Sequence, residues 1–164
     1  MLSHHFNKLR ESKKESVKDE DKQAIDVEKA DSEESKIKLN HKMVMWFHDT
    51  NDPNFTLDSF HRIMDIETME DCIIANQLMK DKSKMLLNGM FFIMKNGINP
   101  MWDDIKNIGG GCISWKIDKH LVLKYWENLF LLFVSDHVPH ALKKYGLNGI
   151  SINPKKNCNI LKLW

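Results

Sequence analysis

Asn96-Gly97-Ile98-Asn99-Pro100-Met101-Trp102-Asp103-Asp104-Ile105-Lys106-Asn107-Ile108-Gly109-Gly110-Gly111 is the stretch on which the fold turns. It separates two runs that read as strands, Met90 to Lys95 and Cys112 to Ile117. An Asn-Gly turn opens it, a proline stiffens it and a glycine triplet closes it. Between these breakers stands a tryptophan followed by two acids. A large apolar ring in a polar, turn-rich segment either caps a core or grips a flat ligand. An indole beside a carboxylate suits a purine, stacked on one face and hydrogen-bonded along one edge. This stretch alone leaves both readings open.

The flanking runs set the architecture. Upstream, Met43 to Phe47 is an apolar strand closed by the polar loop His48 to Pro53, and Phe60 to Ile66 alternates as a second strand. Thr68 begins a helix that extends to about Lys80: its hydroxyl can cap, with Asp71 three residues on and Glu70 near the positive helix end. Cys72, Ala75 and Met79 mark the buried side of that helix, which leaves Ile73 on the polar side. Downstream, Cys112 to Ile117 alternates, with Ile113, Trp115 and Ile117 on one face. Asp118 is placed to cap a long helix, about Lys119 to Asp136, with Val122, Trp126, Leu129 and Phe133 as its apolar stripe. Trp115 and Trp126 are thus expected in the core, and Leu131 falls on the exposed stripe beside Lys124 and Asn128. A hairpin ends the sequence. Gly149 to Asn153 and Ile160 to Trp164 flank a turn over residues 154–159. Ile150, Ile152, Leu161 and Leu163 form its greasy face, and Ser151, Asn153, Lys162 and Trp164 the other. The expected fold is α+β: a curved, mostly antiparallel sheet of about six strands, two helices on its convex face, and a polar concave face open for a ligand.

The composition bounds the function. Of 164 residues, 42% are hydrophobic and 29% charged, with a net charge of +1, enough for one core but without the basic excess of a protein that coats long nucleic acid. Residues 1–40 carry nine basic and ten acidic side chains and few apolar ones. This segment is expected to be a disordered tail, transiently helical near Glu20 to Lys29, with the domain occupying 41–164. His4-His5 in it has no further ligands and makes no metal site. Three separated cysteines without a Cys-x-x-Cys pair give neither a zinc site nor a disulfide framework, and they fit a reducing intracellular setting. The N-terminus has no apolar run that would serve as a signal sequence. The longest apolar run, Leu129 to Val134, is too short to span a bilayer, so a soluble protein is expected. No nucleophile–base pattern or phosphate loop is present, and the glycine triplet leads into a strand rather than a helix, so it is read as a flexible turn. An enzyme is not expected. Five tryptophans are many for this length, and Trp102 and Asp103 with Lys155, Lys156, Lys162 and Trp164 form an aromatic, acidic and basic set that a base with a phosphate tail would satisfy.

In order along the chain, Trp46-Phe47, Thr68-Met69-Glu70-Asp71, Lys95 to Asp104, Lys106-Asn107, Tyr125-Trp126-Glu127 and Gly149 to Asn153 before a basic hairpin ending at Trp164 resemble the eukaryotic translation initiation factor 4E family. The match covers about residues 41–164, and its most specific part is Pro-Met-Trp-acid after a Lys-x-Gly-Ile turn. The resemblance implies a non-enzymatic protein that binds the 7-methylguanosine cap of mRNA between two tryptophans and recruits it to translation through a scaffold subunit. It also implies a cytoplasmic monomer, with the nucleus as a second compartment, and no cofactor or metal. Carried over residue by residue, Trp102 is a stacking ring whose backbone N–H faces guanine O6, and Asp103 is the edge-reading acid where the family usually has Glu. Lys155 is the phosphate grip in place of Arg, and Trp164 is the methyl-contacting indole. Thr56 stands where the first stacking tryptophan belongs, and Phe55 is the nearest ring. Cys112 and Asn157 stand at two further basic positions, for which Lys156 and Lys162 are substitutes. Met69, Ile73 and Leu131 match the convex-face positions that dock a short helix from the scaffold subunit or a repressor, with Ile73 replacing the usual Trp. These departures motivate an alternative: a cap-defective member acting as a protein-interaction module or translational regulator. The family continues beyond the position of Trp164 with another helix and strands, so a shortened member or an incomplete reading frame is expected, with an exposed sheet edge.

Overall fold

A computed structural model describes residues 36–81, 89–137 and 139–164. The helical segment expected near Glu20 to Lys29, the His4-His5 pair and residues 1–35 of the expected tail lie outside the described residues. Six strands form one sheet: β1 (Lys38–Asp49), β2 (His61–Thr68), β3 (Gly89–Lys95), β4 (Ile113–Asp118), β5 (Gly149–Pro154) and β6 (Cys158–Leu163). Their order across the sheet is β2-β1-β3-β5-β6-β4, and every neighbouring pair is antiparallel. Helices α1 (Met69–Asp81) and α2 (Val122–Val134) cover one face, and a one-turn helix α3 (His140–Lys143) precedes β5. No helix among the described residues is long and apolar enough to cross a membrane.

The helix-covered core follows from strand parity. Met43, Met45 and Phe47 of β1, Phe91 and Ile93 of β3, and Ile150, Ile152, Leu161 and Leu163 of the hairpin all point to the same side. There they meet Cys72, Ala75 and Met79 of α1 and Trp126, Phe130 and Phe133 of α2. Trp126 is fully buried, a burial that contributes up to about 4–6 kcal/mol of apolar transfer. Gly149 lies against β3 so closely that an added Cβ would meet the Ile93 carbonyl oxygen at 2.6 Å and the Met94 sulfur at 2.3 Å. Only a residue without a side chain lets β5 approach β3 there.

The start of α1 matches its sequence signal. The Asp71 N–H donates to Thr68 Oγ1 at 3.2 Å, and Asp71 Oδ2 accepts from the Thr68 N–H at 2.9 Å. The start of α2 does not. Lys119–Leu121 forms a 3₁₀ turn, the helix proper begins at Val122, and the Asp118 side chain makes no capping hydrogen bond. The domain also begins earlier than expected: β1 starts at Lys38, Leu39 packs on the core, and Asn40 Nδ2 donates to Asp136 Oδ2 at 3.0 Å.

Two expectations about the sheet faces are corrected. Trp115 is 41% exposed rather than core, because β4 is the edge strand and α2 reaches it only partly. The concave face is not simply polar. Phe60, Met90, Phe92, Met94, Ile98 and Trp164 form a second buried cluster on it, with Trp46 and Met101 at its margin. The reason is β3: Met90 to Met94 is buried on both faces, so its run of five apolar residues feeds two cores.

Candidate functional site

The second cluster forms the floor of a cleft, and the loop Asn96–Gly111 forms one wall. Asp104 and Asn107 fold that loop. The Asp104 carboxylate accepts the Asn99 N–H at 3.0 Å and the Lys106 N–H at 2.9 Å. Partial burial works to raise the pKa of Asp104, but the N–H donors of Asn99 and Lys106 outweigh it and hold the carboxyl below its usual range. Asn107, itself buried, donates to the carbonyls of Asn99 at 3.0 Å and Met101 at 2.7 Å, and Asn148 Nδ2 donates to Asn107 Oδ1 at 2.9 Å. Ile98 tucks into the second cluster and anchors the turn. The two acids after Trp102 therefore have separate positions: Asp104 braces the backbone, and Asp103 is exposed and lines the cleft.

Trp102 is 55% exposed, with its ring against that of Trp164 at a centroid separation of 4.5 Å and a tilt of 41°. Trp164 is nearly buried; it packs on Phe92, and its indole N–H donates to Ser151 Oγ at 2.9 Å. The register Ser151↔Lys162 places Lys162 on the same face as Ser151 and Trp164. Its ammonium lies 4.8 Å from the Trp102 ring centre and 5.7 Å from that of Trp164.

The opposite wall is the β1–β2 loop. Asp49 and Asp52 fold it by accepting the N–H groups of Asn51 at 2.8 Å and Asn54 at 2.9 Å. Phe55 projects from it, 57% exposed on one side and stacked on the His48 ring on the other, with centroids 4.5 Å apart and planes within 11°. His48 is fully buried, and its Nε2–H donates to the Asn54 carbonyl at 2.7 Å, so the ring fixes the residue next to Phe55 as well as one face of Phe55 itself.

Of the expected cap-binding residues, Phe55, Trp102, Asp103, Lys162 and Trp164 thus line one cavity of about 360 Å³. Lys155 and Lys156 line an adjoining cavity of about 450 Å³ that shares Phe55, Met90 and Asn153 with the first. Sequence reasoning missed two members. Lys119 joins Lys155 and Lys156 in the second cavity, because the pairing Asp118↔Cys158 brings the end of β4 beside the hairpin turn. His48 was read only as the start of a loop, and no local pattern marks it as the support of Phe55. The second cavity carries three ammonium groups and no lining carboxylate, which suits an anion.

The expected docking residues lie on the helix-bearing face. Met69 is 37% exposed, Ile73 68% and Leu131 55%, and Ile74, at 56%, adds an apolar side chain the sequence reading did not single out. Glu127 ties the two helices together, pairing with Lys80 Nζ at 2.8 Å and accepting from Asn76 Nδ2 at 3.2 Å. The Lys80 ammonium, with help from Asn76, holds the Glu127 carboxyl below its usual range.

Known proteins bear on this arrangement. Residues 38–164 match the family model described as eukaryotic initiation factor 4E. The wheat (Triticum aestivum) eukaryotic translation initiation factor NCBP is 25% identical over 130 residues, which covers 77% of this chain and 54% of that protein. The mouse (Mus musculus) eukaryotic translation initiation factor 4E type 1B is 26% identical over 128 residues, with 77% and 52% covered. The chain therefore spans about half the length of the curated relatives it matches. The solved complex of C. elegans eIF4E-3 with the 4E-binding protein Mextli and a cap analog superposes with a TM-score of 0.69 at 21% identity, covering 79% of this chain and 74% of that one, a likeness of fold. With the family model spanning the whole sheet and both helices, and the curated relatives agreeing with it, this chain belongs to the eukaryotic initiation factor 4E family.

Proposed function

We propose that the chain is a cap-binding, initiation-factor-like protein that takes a guanine nucleotide in the cleft between the loops of Phe55 and Trp102. One observation carries this reading: a half-exposed indole, a carboxylate free of loop duties and an exposed phenyl ring line one cavity, with three lysines in the cavity next to it. The base stacks on Trp102 and Asp103 accepts hydrogen bonds from its N1 and N2 edge. Phe55, backed by His48, stands in for the second stacking ring. Lys119, Lys155 and Lys156 take the phosphates. Each stacked ring is worth about 1–3 kcal/mol, so a phenyl in place of an indole lowers affinity without removing the mode. A fluorescence titration with m7GTP tests the proposal: saturable quenching is expected, lost in Trp102→Ala, and a protein with no saturable response at low salt would refute it.

A second reading follows from the other face. Ile73, Ile74 and Leu131 leave three large aliphatic side chains in solvent on two adjacent helices, which favours a partner that lays an amphipathic helix there. The C. elegans relative was solved with a 4E-binding protein as well as a cap analog. Recruitment of a scaffold subunit or a repressor is proposed for this chain on that basis, and it would persist in a member whose cleft had lost the cap.

A further inference from the structure

We infer that Lys162 is a specificity-determining residue which sets an ammonium against the stacking ring and so reduces the cleft's preference for an N7-methylated, cationic guanine over an unmethylated one. The inference rests on the cap-binding reading above and widens its ligand class from the methylated cap to guanine nucleotides with or without the methyl group.

The geometry separates Lys162 from the other lysines. Lys155 and Lys156 belong to the hairpin turn and line the outer cavity, whereas Lys162 sits within β6, paired with Ser151 on one side and Ser114 on the other. Its side chain enters the cavity lined by Trp102, Asp103 and Trp164. There its ammonium lies over the Trp102 ring at 4.8 Å, inside the range in which a cation is attracted by an indole face, and it also reaches the Trp164 face at 5.7 Å. Among the described residues it forms no ion pair, and its ammonium rests on the two indoles. Lys162 also lies close enough to Cys112 to counter part of the upward push that burial gives that thiol.

An N7-methylated guanine carries a delocalised positive charge, and its advantage over guanine in a stack is the attraction of that charge to the ring. In this cleft the ring already has a cation. Either base must displace the ammonium from the ring face on which it stacks, but only the methylated base then lies beside a like charge; a neutral guanine does not meet that repulsion. The phosphate tail is attracted to Lys162 in both cases, so the residue acts on the difference between the two bases.

The test is a pair of fluorescence titrations, with m7GTP and with GTP, on the full chain and on Lys162→Met, which keeps length and apolar contact but not charge. Removing the charge should raise the ratio of m7GTP to GTP affinity about tenfold, chiefly by tightening m7GTP. An unchanged ratio, or a parallel loss for both nucleotides, would overturn the inference and return Lys162 to simple phosphate binding. In the free protein, the proton resonances of the Lys162 ε-methylene should be shifted upfield by ring current and return to ordinary positions in Trp102→Ala. Ordinary positions in the unaltered protein would also overturn it. If neither nucleotide binds either protein, the cap reading fails and takes this inference with it; retained binding with an unchanged ratio ends this inference alone.

Discussion

Asp103 and Asp104 are adjacent, identical in chemistry and opposite in task, and replacing each with alanine should therefore give opposite phenotypes. Asp104 accepts two backbone N–H groups, from Asn99 and Lys106, that fold the loop carrying Trp102. A hydrogen bond to a charged group contributes about 1.5–3 kcal/mol when buried, and partial exposure here reduces that to about 1 kcal/mol each. Because Ile98 anchors the same loop in the second cluster, its loosening is felt by the whole fold. Asp104→Ala should cost about 2 kcal/mol, a fall in Tm of roughly 6–10 °C. Its contribution depends on pH with a definite sign. The folded-state pKa lies below the ordinary value of 3.8, so the stabilisation is complete above that pH and is lost as pH falls through the folded-state value. The Tm gap between Asp104→Ala and the parent should accordingly close in acid. Asp103 makes no comparable brace, so Asp103→Ala should leave Tm within roughly 2 °C. It should instead weaken m7GTP by about 1–3 kcal/mol, or roughly 5- to 150-fold. Differential scanning fluorimetry from pH 3 to 7, with nucleotide titration at pH 7, reads both quantities. Equal Tm losses in the two variants, with nucleotide affinity intact in Asp103→Ala, would refute the division of roles.

Two further outcomes follow from the other parts of the fold. Ile73→Asp combined with Leu131→Asp should reduce capture of a 4E-binding helical peptide at least about tenfold, while Tm and m7GTP affinity stay unchanged; pull-down and fluorescence titration check this. Gly149→Ala places a Cβ against the Ile93 carbonyl and the Met94 sulfur, and should lower stability in urea by about 1–3 kcal/mol with an unaltered m value.

The strands and helices were legible because their signals are local. The alternation in Gly149 to Asn153 and the Thr68–Asp71 cap each specify their own element, and both are present where the pattern places them. Trp115 failed because alternation says which face a residue occupies, not whether the strand lies at the centre of the sheet; as part of the edge strand β4, Trp115 faces the helices yet stays partly in water. The start of α2 failed because a capping residue type is common to helices and 3₁₀ turns. Phe130, fully buried, fell outside the stripe first drawn on α2 because that helix is apolar around most of its circumference. At the site, Trp102 and Asp103 were legible from one loop. Which of the two acids is free is decided by the turn that aims the Asn99 and Lys106 N–H groups at Asp104, and which lysines gather at the hairpin is decided by long-range pairing such as Asp118↔Cys158, which no window of sequence contains. The clustering of His48 under Phe55 is tertiary in the same sense.

The Trp102–Trp164 contact has an optical consequence. Two indoles 4.5 Å apart and inclined by 41° couple their ultraviolet transitions, and a skewed coupled pair is chiral whatever the backbone does. The pair should contribute a bisignate far-ultraviolet circular-dichroism band whose sign and size track the angle between the rings. Trp126 is enclosed in the other core, apart from this pair. The chain thus carries an intrinsic polarimeter for the loop: the band reports the disposition of Trp102 before any ligand is added, and its collapse or inversion on titration separates a ring that turns to meet a base from one already in place.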